Sequence, residues 1–208
     1  MGRARILMAD DHLMVLEAFK SLLEPDFDVV GMVTDGRALL EECSRVHPDV
    51  ILVDVAMPLL NGLDAGRKLR AADRSVKLIY LTMNPDPDIA GEALRLGASG
   101  YVLKTSAVQE LTQAIDEAIR GRSYITPLIT RDVVGSLIRQ RTPGQSLTGR
   151  QREVLQLLAE GKSMKEVAAI LDVTPRTVAF HKYRMMEQLR VKTSAELVTF
   201  AVKAGVVA

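Results

Sequence analysis

Asp49-Val50-Ile51-Leu52-Val53-Asp54 is the stretch that decides the fold. Its apolar centre is too short for a helix, is rich in β-branched residues and shows no alternation of polar and apolar positions. That is the texture of a strand buried on both faces, as in a parallel sheet. Pro48 precedes the run, and Pro58 and Asn61-Gly62 follow it as turn punctuation. Working outward, runs of the same kind fall near residues 4–9, 27–33, 76–81 and 100–103. Helical stretches fall near 13–23, 36–46, 61–72, 87–96 and 106–120. Five β/α alternations predict an α/β unit with a parallel five-stranded sheet covered on both sides.

In open α/β sheets, ligands collect beyond the C-terminal ends of the strands. Asp54 ends the founding run, and Asp10-Asp11 follow Ala4–Ala9. Thr82 follows 76–81, and Lys104 follows Tyr101-Val102-Leu103. Three carboxylates, a hydroxyl and an ammonium converging on one mouth suit Mg²⁺ and a phosphoryl group. Hard cations take oxygen ligands, and the anion needs a counter-charge.

Composition sets the frame. The chain has 208 residues, 48% of them hydrophobic and 25% charged, as in an ordinary soluble globular protein. No apolar run approaches the roughly 18 residues of a membrane helix, and the N-terminus reads straight into a strand with no signal peptide. The single cysteine, Cys43, rules out an internal disulfide framework and fits a reducing cytoplasm. Charge is informative in halves. Residues 1–121 carry 13 Lys and Arg against 19 Asp and Glu, a net of −6; residues 122–208 carry 14 against 7, a net of +7. An acidic half joined to a basic half points to two domains, the second with an affinity for polyanions.

Beyond Gly121 the texture changes. Pro127 opens a helical stretch, Leu128 to Gln140, and residues 141–146 read as linker. The remainder offers four helix starts. Thr148-x-x-Gln151, Ser163-x-x-Glu166 and Thr193-x-x-Glu196 have capping-box spacing, and Thr174-Pro175 is an N-cap followed by proline. Only Asp172-Val173-Thr174 separates the second helix from the third, which is helix-turn-helix spacing in a small all-α unit.

On these residues the chain resembles a NarL/FixJ-type two-component response regulator. Residues 1–121 resemble a receiver domain, 122–146 a linker with a helix, and 147–208 a LuxR-type helix-turn-helix domain. The resemblance implies a flavodoxin-like (βα)5 receiver with a four-helix DNA-binding domain. It implies that Asp54 is the phosphoacceptor and that Asp10, Asp11, Asp54 and the backbone carbonyl of Ala56 hold Mg²⁺. Thr82 and Tyr101 match the switch hydroxyl and aromatic, and Lys104 the phosphate-contacting lysine. The implied partners are a sensor histidine kinase, double-stranded DNA and a second copy of the chain. The implied setting is the cytoplasm.

Other readings are weaker. An aspartyl-phosphate hydrolase of the haloacid-dehalogenase type needs an acid/base two residues after the nucleophile, and Ala56 stands there. The chain is therefore read as a regulator and not an enzyme. Gly97-x-x-Gly100 lacks the Gly-Lys-Ser/Thr of a P-loop, and His12, His47 and His181 lack zinc spacing. A phosphorylation-independent interaction module would not need the full Asp10, Asp11, Asp54, Thr82, Lys104 set. Three positions depart from the family pattern: Thr105 where proline commonly follows the lysine, the bulky Met83 after Thr82, and Arg190 where glycine is frequent.

In the third C-terminal helix, Val178, His181, Met185 and Leu189 share one side by their spacing and form its core face. Arg176, Phe180, Tyr183, Arg184 and Glu187 take the other side, with Ala179 at the flank. Exposed aromatics framed by arginines suit a major groove. The resemblance assigns base contacts to Ala179, Phe180 and Tyr183; Thr177 and Arg176 sit beside them, and Lys165 and Lys182 are phosphate candidates. It also makes the fourth helix, with Leu197, Val198 and Ala201 on one side, a dimerisation element. The opposite charge of the halves predicts that the acidic domain lies against the basic recognition helix and competes with DNA for it.

Overall fold

The computed structural model describes residues 2–138 and 147–207. The chain runs β1 (Arg5–Ala9), α1 (Leu13–Leu23), β2 (Asp28–Val33), α2 (Gly36–Val46), β3 (Val50–Asp54) and α3 (Gly62–Ala72). It continues through β4 (Lys77–Thr82), α4 (Pro87–Arg95), β5 (Gly100–Leu103), α5 (Ala107–Ile119), β6 (Tyr124–Ile125) and α6 (Pro127–Ile138). The C-terminal helices are α7 (Gly149–Ala159), α8 (Met164–Leu171), α9 (Pro175–Leu189) and α10 (Ser194–Lys203). Gln140 and the linker expected at 141–146 lie outside the described residues.

The strands form one parallel sheet in the order β2-β1-β3-β4-β5-β6. All five residues of β3 are buried, as an apolar strand covered on both faces must be. Leu7, Ile51, Val53, Leu78 and Tyr80 pack on one face with α2, α3 and α4. Ile6, Met8, Leu52, Ile79 and Val102 pack on the other with α1 and α5. Strand order reverses at the β1/β3 boundary, which opens the ligand crevice between Asp10 and Asp54.

Six strands stand where five were expected. Tyr124-Ile125 is too short to carry a periodicity, yet it pairs with Gly100 and Tyr101 and closes what would be an open edge on β5.

The third core, Leu147, Val154, Leu155, Val167, Val178, Met185, Leu197 and Ala201 among its members, belongs to α7–α10. Thr148 and Ser163 form complete capping boxes with Gln151 and Glu166. Thr174 accepts from the Thr177 N–H ahead of Pro175. The Thr193 box is half made: its hydroxyl takes the Glu196 N–H, but the Glu196 carboxylate turns to the Lys192 N–H at 2.8 Å. Arg190 caps α9 at φ 56°, a left-handed conformation in which glycine is the easier residue.

Candidate functional site

The C-terminal ends of β1, β3 and β5 bring the predicted receiver residues together. Asp10 and Asp54 are almost wholly buried, and the Lys104 ammonium sits between them, 2.6 Å from Asp10 Oδ2 and 2.9 Å from Asp54 Oδ2. Asp11 stands exposed at the rim. Burial pushes the Asp54 carboxyl up, against the pull of the Lys104 hydrogen bond and charge; the charge of Asp10 adds to the rise, and the Ala56 N–H opposes it. Burial acts to lower Lys104, but its bonds to Asp10 and Asp54 outweigh that and raise it. The lysine is therefore held as a cation, neutralising carboxylates that would otherwise repel one another.

Asp10, Asp11, His12 and Asp54 each present a ligand atom within 4.8 Å of the others. The oxygen-rich donors fit a hard divalent cation. His12 was not among the expected site residues. Its Nδ1 lies 2.7 Å from Asp11 Oδ1 and 3.3 Å from Asp10 Oδ1. Its position immediately after Asp10-Asp11 was the available signal.

Thr82 and Tyr101 lie on neighbouring strands, β4 and β5. Thr82 Oγ1 accepts the Asn84 N–H at 3.0 Å, and the fully buried Tyr101 donates its hydroxyl to the Asn84 carbonyl at 3.3 Å. Both thus hold the loop between β4 and α4. Met83, beside them, is exposed. The Lys104-Thr105 peptide is trans, as are all described peptides.

The turn after β3 links this site to α7. Gly62 packs so closely that a Cβ there would lie 2.1 Å from the Asp54 carbonyl oxygen, so only glycine fits. Leu59, at φ 64°, packs against the C-terminal core, and its N–H reaches Glu160 Oε1 at 3.1 Å. Gln156 accepts from the Asn61 N–H at 2.8 Å and donates to the Met57 carbonyl at 2.8 Å. Arg152 Nε binds Asp64 at 2.9 Å, and Lys68 binds Glu153 at 2.8 Å.

The docking corrects the expected contact. The receiver meets α7, not α9, and Phe180 and Tyr183 remain 56% and 63% exposed. Net charge misjudged the contact because buried side-chain pairs decide it locally, and Glu153, an acid of the basic half, binds Lys68 of the acidic half. The α9 faces fall as expected: Val178 and Met185 are buried, and Arg176 and Arg184 are exposed. Arg184 lies 5.7 Å from the Phe180 ring centroid and Lys182 lies 6.0 Å from that of Tyr183, so cations frame both aromatics. Thr177 and Ala179 are partly exposed, and Lys165 is exposed on α8. On α10, Leu197 and Ala201 are buried in the domain's own core, whereas Val198 is half-buried and Ala195 and Val202 are exposed.

Residues 6–116 match the response regulator receiver domain family, and residues 145–201 match the bacterial regulatory proteins of the luxR family. The chain is a NarL/FixJ-type response regulator. Among similar members of this family, the oxygen regulatory protein NreC of Staphylococcus carnosus is 33% identical, over 96% of this chain and 97% of that protein. The nitrate/nitrite response regulator protein NarL of Escherichia coli is 33% identical, over 93% and 92%. The solved RcsB response regulator of Salmonella typhimurium aligns over 98% of both chains with a TM-score of 0.69 at 27% identity. An RcsB–DNA complex aligns over 97% of this chain and 98% of that one, with a TM-score of 0.61 at 27% identity. This response regulator is a transcription factor regulated by phosphorylation and not an enzyme.

Proposed function

We propose that Asp54 accepts the phosphoryl group and that the change of state passes through the turn after β3 to the DNA-binding helices. The observation that carries the reading is the Lys104 ammonium held between Asp10 and Asp54, at the mouth of the sheet. In this reading the receiver domain spans residues 1–121, the linker with its helix 122–146, and the DNA-binding domain 147–208.

A carboxylate oxygen of Asp54 attacks phosphorus. The bond from phosphorus to the donor breaks, a P–N bond for a kinase phosphohistidine or a P–O bond for acetyl phosphate, and its electron pair leaves with the donor. Asp10, Asp11, Asp54 and the Ala56 carbonyl would hold Mg²⁺, which supplies charge neutralisation to the phosphoryl oxygens. Lys104 exchanges a carboxylate partner for a phosphoryl oxygen, and Thr82 turns its hydroxyl from Asn84 to another. Tyr101, bonded to the same loop, follows. Two or three such charge-assisted bonds at ~1.5–3 kcal/mol each reach the roughly 5.5 kcal/mol that reverses a 1:99 balance. The Ala56 side chain has no base to activate water, so the acyl phosphate lasts as a signal.

The partners in this reading are a sensor histidine kinase, double-stranded DNA and a second copy of the chain. Arg176, Thr177, Ala179, Phe180, Tyr183 and Arg184 face the major groove, with Lys165 and Lys182 on phosphates. A cytoplasmic location accords with it; no described helix is long and apolar enough to cross a membrane. The test is intact mass after incubation with acetyl phosphate and Mg²⁺. Wild type gains a phosphoryl mass and Asp54→Ala does not; a gain that persists in the variant overturns the assignment.

A further inference from the structure

The receiver family match ends at residue 116, yet the strand that leads into Lys104 is paired along its outer edge by the linker. β6 pairs in parallel with β5, and the Thr126 N–H donates to the Tyr101 carbonyl at 3.0 Å. The Thr126 carbonyl then turns into α6, where it accepts from the Ile129 N–H and the Thr130 hydroxyl, both at 3.1 Å. That carbonyl is thereby lost to the ladder, and the next β5 donor, the Leu103 N–H, needs another acceptor. The Thr126 hydroxyl supplies it at 3.0 Å and donates its own proton to Glu110 Oε2 at 2.8 Å. Thr126 is 1% exposed, so no water can stand in for the hydroxyl without rearrangement.

The two successive peptides that lead into Lys104 are thus held on opposite sides, one by the linker and one by β4. The Leu103 N–H is held by Thr126, and the Lys104 N–H donates to the Thr82 carbonyl at 2.8 Å. The lysine side chain leaves from this fixed point to reach Asp10 and Asp54. An in-line transfer that depends on placement is sensitive to shifts of its charged groups by a fraction of an ångström.

We propose that Thr126, a linker residue outside the receiver family match, is a positioning residue for Lys104, with Glu110 orienting its hydroxyl. The proposal rests on the reading of Asp54 as phosphoacceptor. It places the linker inside the phosphoryl site: the segment leading to the DNA-binding helices also aligns the cation that receives the phosphoryl oxygen. Thr126→Val keeps shape and removes both hydrogen bonds; Thr126→Ser keeps both bonds and removes a methyl group.

The experiment measures phosphorylation of the full chain by acetyl phosphate across a Mg²⁺ titration, with melting temperature alongside. Thr126→Val is expected to slow the reaction about tenfold at saturating Mg²⁺. Its half-saturating Mg²⁺ should match wild type, because the carboxylates are untouched. Thr126→Ser should restore the rate to within about twofold, and Glu110→Ala should fall between, since the hydroxyl remains but loses its orientation. A structural role alone would lower the melting temperature without this split between rate and Mg²⁺ dependence. A wild-type rate in Thr126→Val, or a Thr126→Ser rate as low as that of Thr126→Val, overturns the proposal while the Asp54-dependent mass gain still stands. Should Thr126→Val fail to fold, a wild-type rate in Glu110→Ala overturns it equally. A mass gain that persists in Asp54→Ala overturns the site reading and this proposal with it.

Discussion

The side-chain carbonyl of Gln156 accepts the backbone N–H of Asn61 at 2.8 Å, and both residues are buried. Asn61 lies in the turn that begins directly after Asp54, whereas Gln156 lies on α7 of the DNA-binding domain. One side chain therefore joins the first turn beyond Asp54, the proposed phosphoacceptor, to the first helix of the DNA-binding domain. The side-chain N–H of the same Gln156 donates to the Met57 carbonyl, so the turn is clasped at both ends from the C-terminal side.

Gln156→Ala leaves the Asn61 N–H and the Met57 carbonyl without these partners, at ~1–3 kcal/mol each if they stay buried. The domains should separate, and small-angle scattering should give a larger radius of gyration for the unphosphorylated variant. An unchanged radius would mean that Leu59 and the Arg152–Asp64 pair suffice to hold the domains together.

Lys104 holds one oxygen each of Asp10 and Asp54, two of the carboxylates that would bind a cation. Lys104→Gln removes a competing positive charge, so Mg²⁺ should bind the unphosphorylated protein more tightly by roughly tenfold, worth ~1.4 kcal/mol of charge repulsion. Phosphorylation should nevertheless slow, because the phosphoryl oxygen loses its counter-charge. Titration calorimetry with Mg²⁺ and intact mass over time read the two effects separately. Mg²⁺ binding weaker than in wild type would show that the lysine helps to shape the metal site instead of competing for it.

On α9, Lys182→Ala should weaken all DNA sequences about equally and flatten the salt dependence, as loss of one phosphate contact does. Phe180→Ala should instead relax preference at one or two base pairs, and site selection distinguishes the two. An unchanged selected site in Phe180→Ala would assign the exposed ring to protein contact.

His181, edge-on to the Phe180 ring at 5.6 Å, has its imidazole pKa lowered by burial and then by the charges of Arg150 and Arg184. The folded state therefore resists the proton that the unfolded state accepts. The stability this neutral imidazole contributes is complete above its ordinary pKa of about 6.5 and is lost as pH falls through the lower folded value. Melting temperatures at pH 7.5 and 5.5 should differ less in His181→Gln than in wild type. An equal difference would assign the acid sensitivity to other groups.

The elements of the receiver were legible in the chain because each strand is a short apolar run closed by a polar residue. That punctuation also located Asp10, Asp54, Thr82 and Lys104, since strand ends are sites by topology alone. Capping residues marked the helix starts of the DNA-binding domain equally well, and spacing separated the two faces of α9. What the sequence could not determine depends on partners distant in the chain. The sixth strand is two residues long and exists only because β5 offers it an edge. The hydroxyl of Thr126 matters because a carbonyl beside it turns into a helix. Net charge of −6 and +7 described the halves correctly and misplaced their contact. Gln156 with Asn61, Leu59 at positive φ and Glu153 with Lys68 choose α7, and local burial and hydrogen-bond geometry outweigh the long-range field of surface charges that water screens.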